Sequence, residues 1–198
     1  MDRKKRISLK GQIILSDRYE SHLKEIEETY RREHLRMKSE YLDMWKWMLK
    51  KTKDLQRLGA KGKMGYMVIS LLHSSFLTRS YGMRFDIYTK DLYLDAAEVC
   101  AYWCPALFFR YVQEDMEYFS CRVKKEIVQV GEDELREFEM EYAYRYARLA
   151  FSYFREMSGE IFKLEEYGET EKEFPVYMLF GNYIGKTTLI AQDMGDVV

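Results

Sequence analysis

The chain has 198 residues, 47% apolar, 33% charged and 16% aromatic, with 17 Tyr, two Pro, three Cys and a net charge of −1. That length suits one domain, or one domain with a long appendage, and the composition excludes a disordered chain and a disulfide scaffold. Membrane spanning is excluded as well, because the longest apolar run, Val99 to Phe109 interrupted by its own Cys and Pro, falls short of the roughly 20 residues a helix needs to cross a bilayer.

The near-zero charge hides an asymmetry. Residues 1–63 carry 18 Lys and Arg against 10 Asp and Glu, and residues 64–198 carry 14 against 23. Such halves can fold onto one another, pair between copies, or present a basic arm to an acidic partner.

Residues 1–16 read as a basic N-terminal segment containing Arg3, Lys4, Lys5, Arg6 and Lys10, without an apolar stretch of signal-peptide length. With an odd, sparse set of cysteines, this places the protein in the cytoplasm. Residues 17–58 contain no Gly or Pro, and Tyr19, Leu23, Ile26, Tyr30, His34, Met37, Tyr41, Met44, Met48 and Leu55 recur mostly at steps of three and four. The spacing predicts one amphipathic helix, capped by Ser16 or Asp17, stopped by Gly59 and on the order of 60 Å long. Trp45, Trp47 and Leu49 leave the stripe, which predicts a second buried edge.

Residues 59–198 read as a helical domain with minor β-hairpins, one structural unit with the long helix. Met64 to Thr78 reads as a short apolar helix, with Val68 and Ile69 leaving a strand open. Alternation at Met83, Phe85 and Ile87, then at Leu92 and Leu94, predicts a hairpin turning at Thr89 to Asp91. AAEVCAYWC after Asp95 reads as a helix that Pro105 kinks or ends, followed by a helix to about Val130. Another runs from Glu132 to Met157 with Leu135, Phe138, Tyr142, Tyr146, Leu149 and Tyr153 on one stripe. An acidic connection, Gly159 to Phe174, leads to a terminal hairpin of Val176 to Phe180 and Lys186 to Ala191. The expected fold is therefore mainly α: a helical bundle with one very long amphipathic helix and a small antiparallel β component of two hairpins.

The motif most suggestive of chemistry is FGNYIGKTTLI, Phe180 to Ile190. A phosphate-binding loop needs two glycines separated by four residues before Lys and Ser/Thr, and Gly181 and Gly185 are separated by three. Both glycines suit a hairpin turn instead. Cys100, Cys104, Cys121 and His73 could form a zinc set, but the first two lie in an apolar stretch, where buried thiols act as small hydrophobes. Glu114, Asp115 and Glu117 alternate with Met116, Tyr118 and Phe119 as the wet face of a helix does. No His has an acid or second His at metal-ligand spacing, and His34 falls on the apolar seam of the first helix.

No catalytic set, cofactor or metal is expected. The reading is a non-enzymatic cytoplasmic interaction protein, an adaptor, chaperone or regulatory subunit that self-associates because a monomer would leave the second apolar edge wet. Its expected contact residues are Leu23, Ile26, Tyr30, His34, Met37, Tyr41, Trp45, Phe138, Tyr142, Tyr146, Leu149 and Tyr153. Two alternatives remain: a nucleic-acid-binding regulator using the basic N-terminal region, and an enzyme or metal-binding protein with a site near His73, Cys100 and Cys104.

Overall fold

A computed structural model describes residues 2–195. In chain order the elements are α1 (Arg3–Arg57), β1 (Met64–Leu71), α2 (His73–Leu77), β2 (Met83–Tyr88), a 3-10 turn (Leu92–Leu94), β3 (Cys100–Trp103), α3 (Ala106–Phe109), α4 (Val112–Glu126), α5 (Glu132–Phe162), α6 (Glu165–Glu169), β4 (Lys172–Asn182) and β5 (Thr187–Asp193).

The long helix begins at Arg3, so the basic segment expected to precede it is its first turns. Gly11 reads as a breaker, yet its missing side chain is what admits a neighbour: a Cβ there would lie 2.1 Å from Cζ of Phe138 on α5. Close approach outweighs the roughly 1 kcal/mol that Gly costs a helix interior. The helix ends where Gly59 takes a left-handed φ of +68°. Its buried positions include Ile7, Gly11, Leu15, His22, Ile26, Thr29, Met37, Tyr41, Trp45, Met48 and Thr52. They drift slowly around the helix, since runs of steps of four exceed the 3.6-residue turn. One element about 80 Å long thereby faces α4 and α5 near its start, α5 along its middle and the sheet near its end.

The expectation of a helical bundle with two small hairpins is corrected by the sheet. Five strands form one mixed sheet in the order β3-β2-β1-β4-β5, antiparallel except for the central parallel pair β1 and β4. Met64 to Leu71, expected as helix, is the central strand; buried on both faces, it shows a continuous apolar run instead of alternation. The partner of β2 is β3, inside the AAEVCAYWC stretch expected to be helical, and not Leu92 to Leu94. A connection of Thr89 to Val99, with Leu92 at φ 51°, carries the chain across. The terminal hairpin lies where expected, with longer strands, and the acidic connection before it instead continues α5 to Phe162 and adds α6. Lys186 and Thr187 lead into β5, not into a helix, so the Gly-Lys-Thr motif has no phosphate-cradling context.

One face of the sheet carries Met67, Ile69, Phe85, Ile87 and Met178 against α1 and α5. The Phe85 ring lies 6.0 Å from Tyr41, 5.8 Å from Trp45 and 5.8 Å from Phe154. Of the second apolar edge of α1, Trp45 and Leu49 are thus covered within the chain itself, whereas Trp47, expected to be buried with them, stays 52% exposed beneath Lys51. The ion pairs Arg3 to Glu134, Lys4 to Glu137 and Lys38 to Glu160 run in step, so α1 and α5 are parallel; Lys10 to Glu126 and Arg18 to Glu114 run in opposition, so α4 is antiparallel to α1. The charge asymmetry resolves by folding one half onto the other. Among the described residues no helix is long and apolar enough to cross a membrane.

Candidate functional site

Of the expected contact residues, Ile26, Met37, Tyr41, Trp45, Phe138, Tyr142, Tyr146 and Tyr153 are buried inside the chain. Leu23, Tyr30 and Leu149 are half-buried, and His34 is exposed, its Nδ1 3.0 Å from the Arg31 carbonyl. Part of this set converges on one surface feature. Leu23, Ile26, Glu27 and Tyr30 of α1 and Leu149, Ser152, Tyr153 and Glu156 of α5 line an open groove of about 320 Å³, with Phe108 of α3 as a further wall.

Both helices contribute positions i, i+3, i+4 and i+7, the spacing of two ridges with a valley between them. Because α1 and α5 are parallel, the ridges stay in register along the valley. Tyr30 meets Tyr153 edge-on at 6.0 Å, and Phe108 lies 5.9 Å from Tyr153 and 6.5 Å from Tyr30, which fixes the aromatic floor. Glu27 and Glu156 give the mouth a negative rim; Glu27 accepts from Arg31 at 2.5 Å, and Glu156 accepts weakly from the Tyr30 hydroxyl at 3.5 Å. The Tyr153 hydroxyl is buried without a hydrogen-bond partner among the described residues, and burial holds it neutral at ordinary pH. Sequence reasoning placed Phe108 on a helix after Pro105 but not among the contact residues, because nothing local shows that this short element closes onto α1 and α5.

Beside the groove lies a closed polar cluster. Asp115 of α4 is fully buried and accepts from Arg18 Nε at 2.7 Å, His22 Nδ1 at 3.0 Å, Tyr142 Oη at 2.7 Å and Tyr146 Oη at 3.2 Å. His22 stacks on Tyr111 at 4.0 Å, and the Tyr111 hydroxyl donates to Glu25 at 2.5 Å. Four donors around one carboxylate satisfy its lone pairs and tie α1, α4 and α5 together, a structural role that leaves it no free coordination. In the Glu114, Asp115, Glu117 run, then, only the middle acid is buried.

The candidate zinc residues do not assemble. His73 is exposed at the start of α2, Cys121 is exposed on α4, and Cys104 donates its thiol to the Ser80 carbonyl at 3.2 Å. Among the described residues one trio lies within ligand reach, Asp86, Glu98 and Cys100, with donor atoms within 4.8 Å of one another. Arg84 already fills that space: its guanidinium bonds both carboxylates, and its fork to Asp86 measures 2.8 to 3.0 Å. Burial pushes the Asp86 carboxyl up despite this pairing, and burial also pushes the Cys100 thiol up, so neither is readied as a metal ligand.

No family model matches this chain, and none of the curated proteins or solved structures compared with it matches either.

Proposed function

We propose that the protein is a non-enzymatic interaction protein of the cytoplasm that receives the apolar face of a partner helix in the groove between α1 and α5. The observation that carries this reading is the groove's pair of parallel i, i+3, i+4, i+7 ridges around an aromatic floor. An amphipathic helix lays its own apolar stripe into such a valley. Tyr and Phe supply large contact area at small entropic cost, as binding hot spots do. The rim acids Glu27 and Glu156 select Lys or Arg on either side of that stripe. Three cysteines, all free, support a reducing compartment.

Self-association had its ground in the second edge of the long helix, of which the chain itself buries Trp45 and Leu49 and leaves Trp47 exposed. The occupant on this reading is a heterologous helix, and a stable dimer of the free protein would put a second copy of the chain in its place. The basic N-terminal residues Arg3, Lys4 and Lys10 are engaged by Glu134, Glu137 and Glu126, which weakens the nucleic-acid reading.

The test is a selection from a displayed library of helical peptides, with titration of the winners. Winners with apolar residues at helical spacing flanked by Lys or Arg, bound at least about 10-fold more weakly by Leu149→Glu, are expected. Winners without that pattern, or bound equally by wild type and Leu149→Glu, would overturn the reading. Light scattering on a sizing column should find the free protein as a monomer of 23.9 kDa.

A further inference from the structure

Five buried side-chain polar atoms lack a hydrogen-bond partner among the described residues: Tyr41 Oη, Trp45 Nε1, Ser70 Oγ, Tyr81 Oη and Tyr153 Oη. Tyr41 and Trp45 belong to the closed core, Ser70 to the central strand, and Tyr81 to an aromatic stack with Phe76 and Phe109. Tyr153 is the one of the five that lines the groove between α1 and α5.

Tyr153 is 3% exposed, so its hydroxyl has given up water without gaining a partner among the described residues. Burial pushes it up, and it stays a donor. It lies within electrostatic reach of Tyr30 and Glu156, which line the same groove, and of Glu40 outside it. Glu156 follows Tyr153 by three residues, hence neighbours it on the same face of α5. The Glu156 carboxylate is exposed, and its one hydrogen bond among the described residues, accepted by Oε2 from the Tyr30 hydroxyl, is long at 3.5 Å. This end of the valley therefore offers an unmet donor beside a weakly engaged acceptor.

The two groups together select one side-chain chemistry. Lys and Arg pair with Glu156 but carry no acceptor for the Tyr153 hydroxyl. Asp and Glu accept from the hydroxyl but meet the negative charge of Glu156 and Glu27, and Leu leaves both groups unmet. A Ser or Thr hydroxyl has both functions on a single atom, which would have to touch both groups at once. A carboxamide separates them, with a carbonyl that accepts and an N–H2 group that donates.

We propose that the partner helix carries Asn or Gln at one position of its apolar stripe, the carbonyl accepting from Tyr153 and the N–H2 group donating to Glu156. The inference rests on the groove being a helix site. The amide replaces the weak Tyr30 bond at Glu156 and reaches the hydroxyl as the Tyr30 ring turns aside, while the second Glu156 oxygen stays open to a flanking Lys or Arg. A single amide in an apolar seam fixes which residues face one another, so Tyr153 sets the register of the partner helix as well as its affinity.

The experiment takes helical peptides selected against the full chain and titrates each one, as selected and with its amide replaced by Leu, against wild type, Tyr153→Phe and Glu156→Met. Selected peptides should share Asn or Gln at one stripe position. Replacing that amide by Leu should weaken binding to wild type about 10-fold and binding to either variant by less than about 3-fold. The Leu peptide should bind Tyr153→Phe at least as tightly as wild type, since the ring that shapes the groove is kept. Peptides that depend on Leu149 but share no Asn or Gln, or whose amide replacement costs the same on wild type and on both variants, would overturn this inference and leave the helix site standing. Peptides indifferent to Leu149→Glu would overturn the helix site itself, and the register assignment with it.

Discussion

Asp115 and Glu117 stand two residues apart on α4 and face opposite regions of the molecule. On the inner side Asp115 is fully buried, accepts from four donors on α1 and α5, and closes a cluster in which His22, Tyr142 and Tyr146 aim at one carboxylate. On the outer side Glu117 is exposed on a cleft that Arg79, at a left-handed φ of 58°, also borders. The difference separates two uses of polar groups. Where every donor finds its acceptor, charge fixes how helices pack; where a carboxylate stays exposed, it can change without loosening that packing.

The largest effect that tests this contrast is Asp115→Ala. It strands Arg18, His22 and two tyrosine hydroxyls, and should cost about 3–5 kcal/mol in urea unfolding. A loss below about 1 kcal/mol would mean that the inner cluster is as slack as the outer cleft. Next comes Gly11→Ala, which improves helix propensity but drives a Cβ into the Phe138 ring. A net loss of about 1–3 kcal/mol is expected, and a gain would show that the inner packing yields.

A third carboxylate gives a pH test of the same idea. Burial alone would raise the Asp95 carboxyl, but the Lys61 ammonium and the amides of Thr89 and Ala97 hold it net below its ordinary 3.8. Depressed in the folded state, it contributes stability above pH 3.8 that is lost as pH falls through the folded value. The advantage of wild type over Asp95→Asn in chemical unfolding should therefore shrink as pH drops below 3.8. An advantage constant from neutral pH down to about 2 would contradict it.

Smaller effects belong to the outer side. Tyr81→Phe removes a buried hydroxyl with no partner among the described residues and should raise stability by about 1 kcal/mol, the reverse of the usual sign for a buried polar deletion. Glu117→Gln should leave stability within about 0.5 kcal/mol of wild type.

The long helix was legible because apolar residues from Tyr19 to Leu55 keep helical spacing without a Pro or Gly. Its start was not, because Ser16 and Asp17 are capping residue types, yet the helix runs through them back to Arg3. β1 was hidden by burial on both faces, which erases the alternation that marks a strand, and β3 by a linker too long for a hairpin. For the groove, Leu23, Ile26, Tyr30, Leu149 and Tyr153 were readable from their stripes. Met37 and Tyr41 share the α1 stripe and Trp45 lies just off it, yet the sheet covers them, and no local pattern tells a face that meets the chain's own sheet from one left open. The cleft was readable only in fragments: Cys121 and Glu117 drew notice for other chemistry, while left-handed Arg79 leaves no mark in a sequence that lacks glycine there.

The most direct test of the central claim, that a partner helix occupies the valley between α1 and α5, is hydrogen exchange on the protein with and without a selected helical peptide. The account predicts slower exchange in residues 23–30 and 149–156, with the β5 edge at Thr187–Asp193 unchanged. Protection confined to the β5 edge, with both helical segments unaffected, would contradict it.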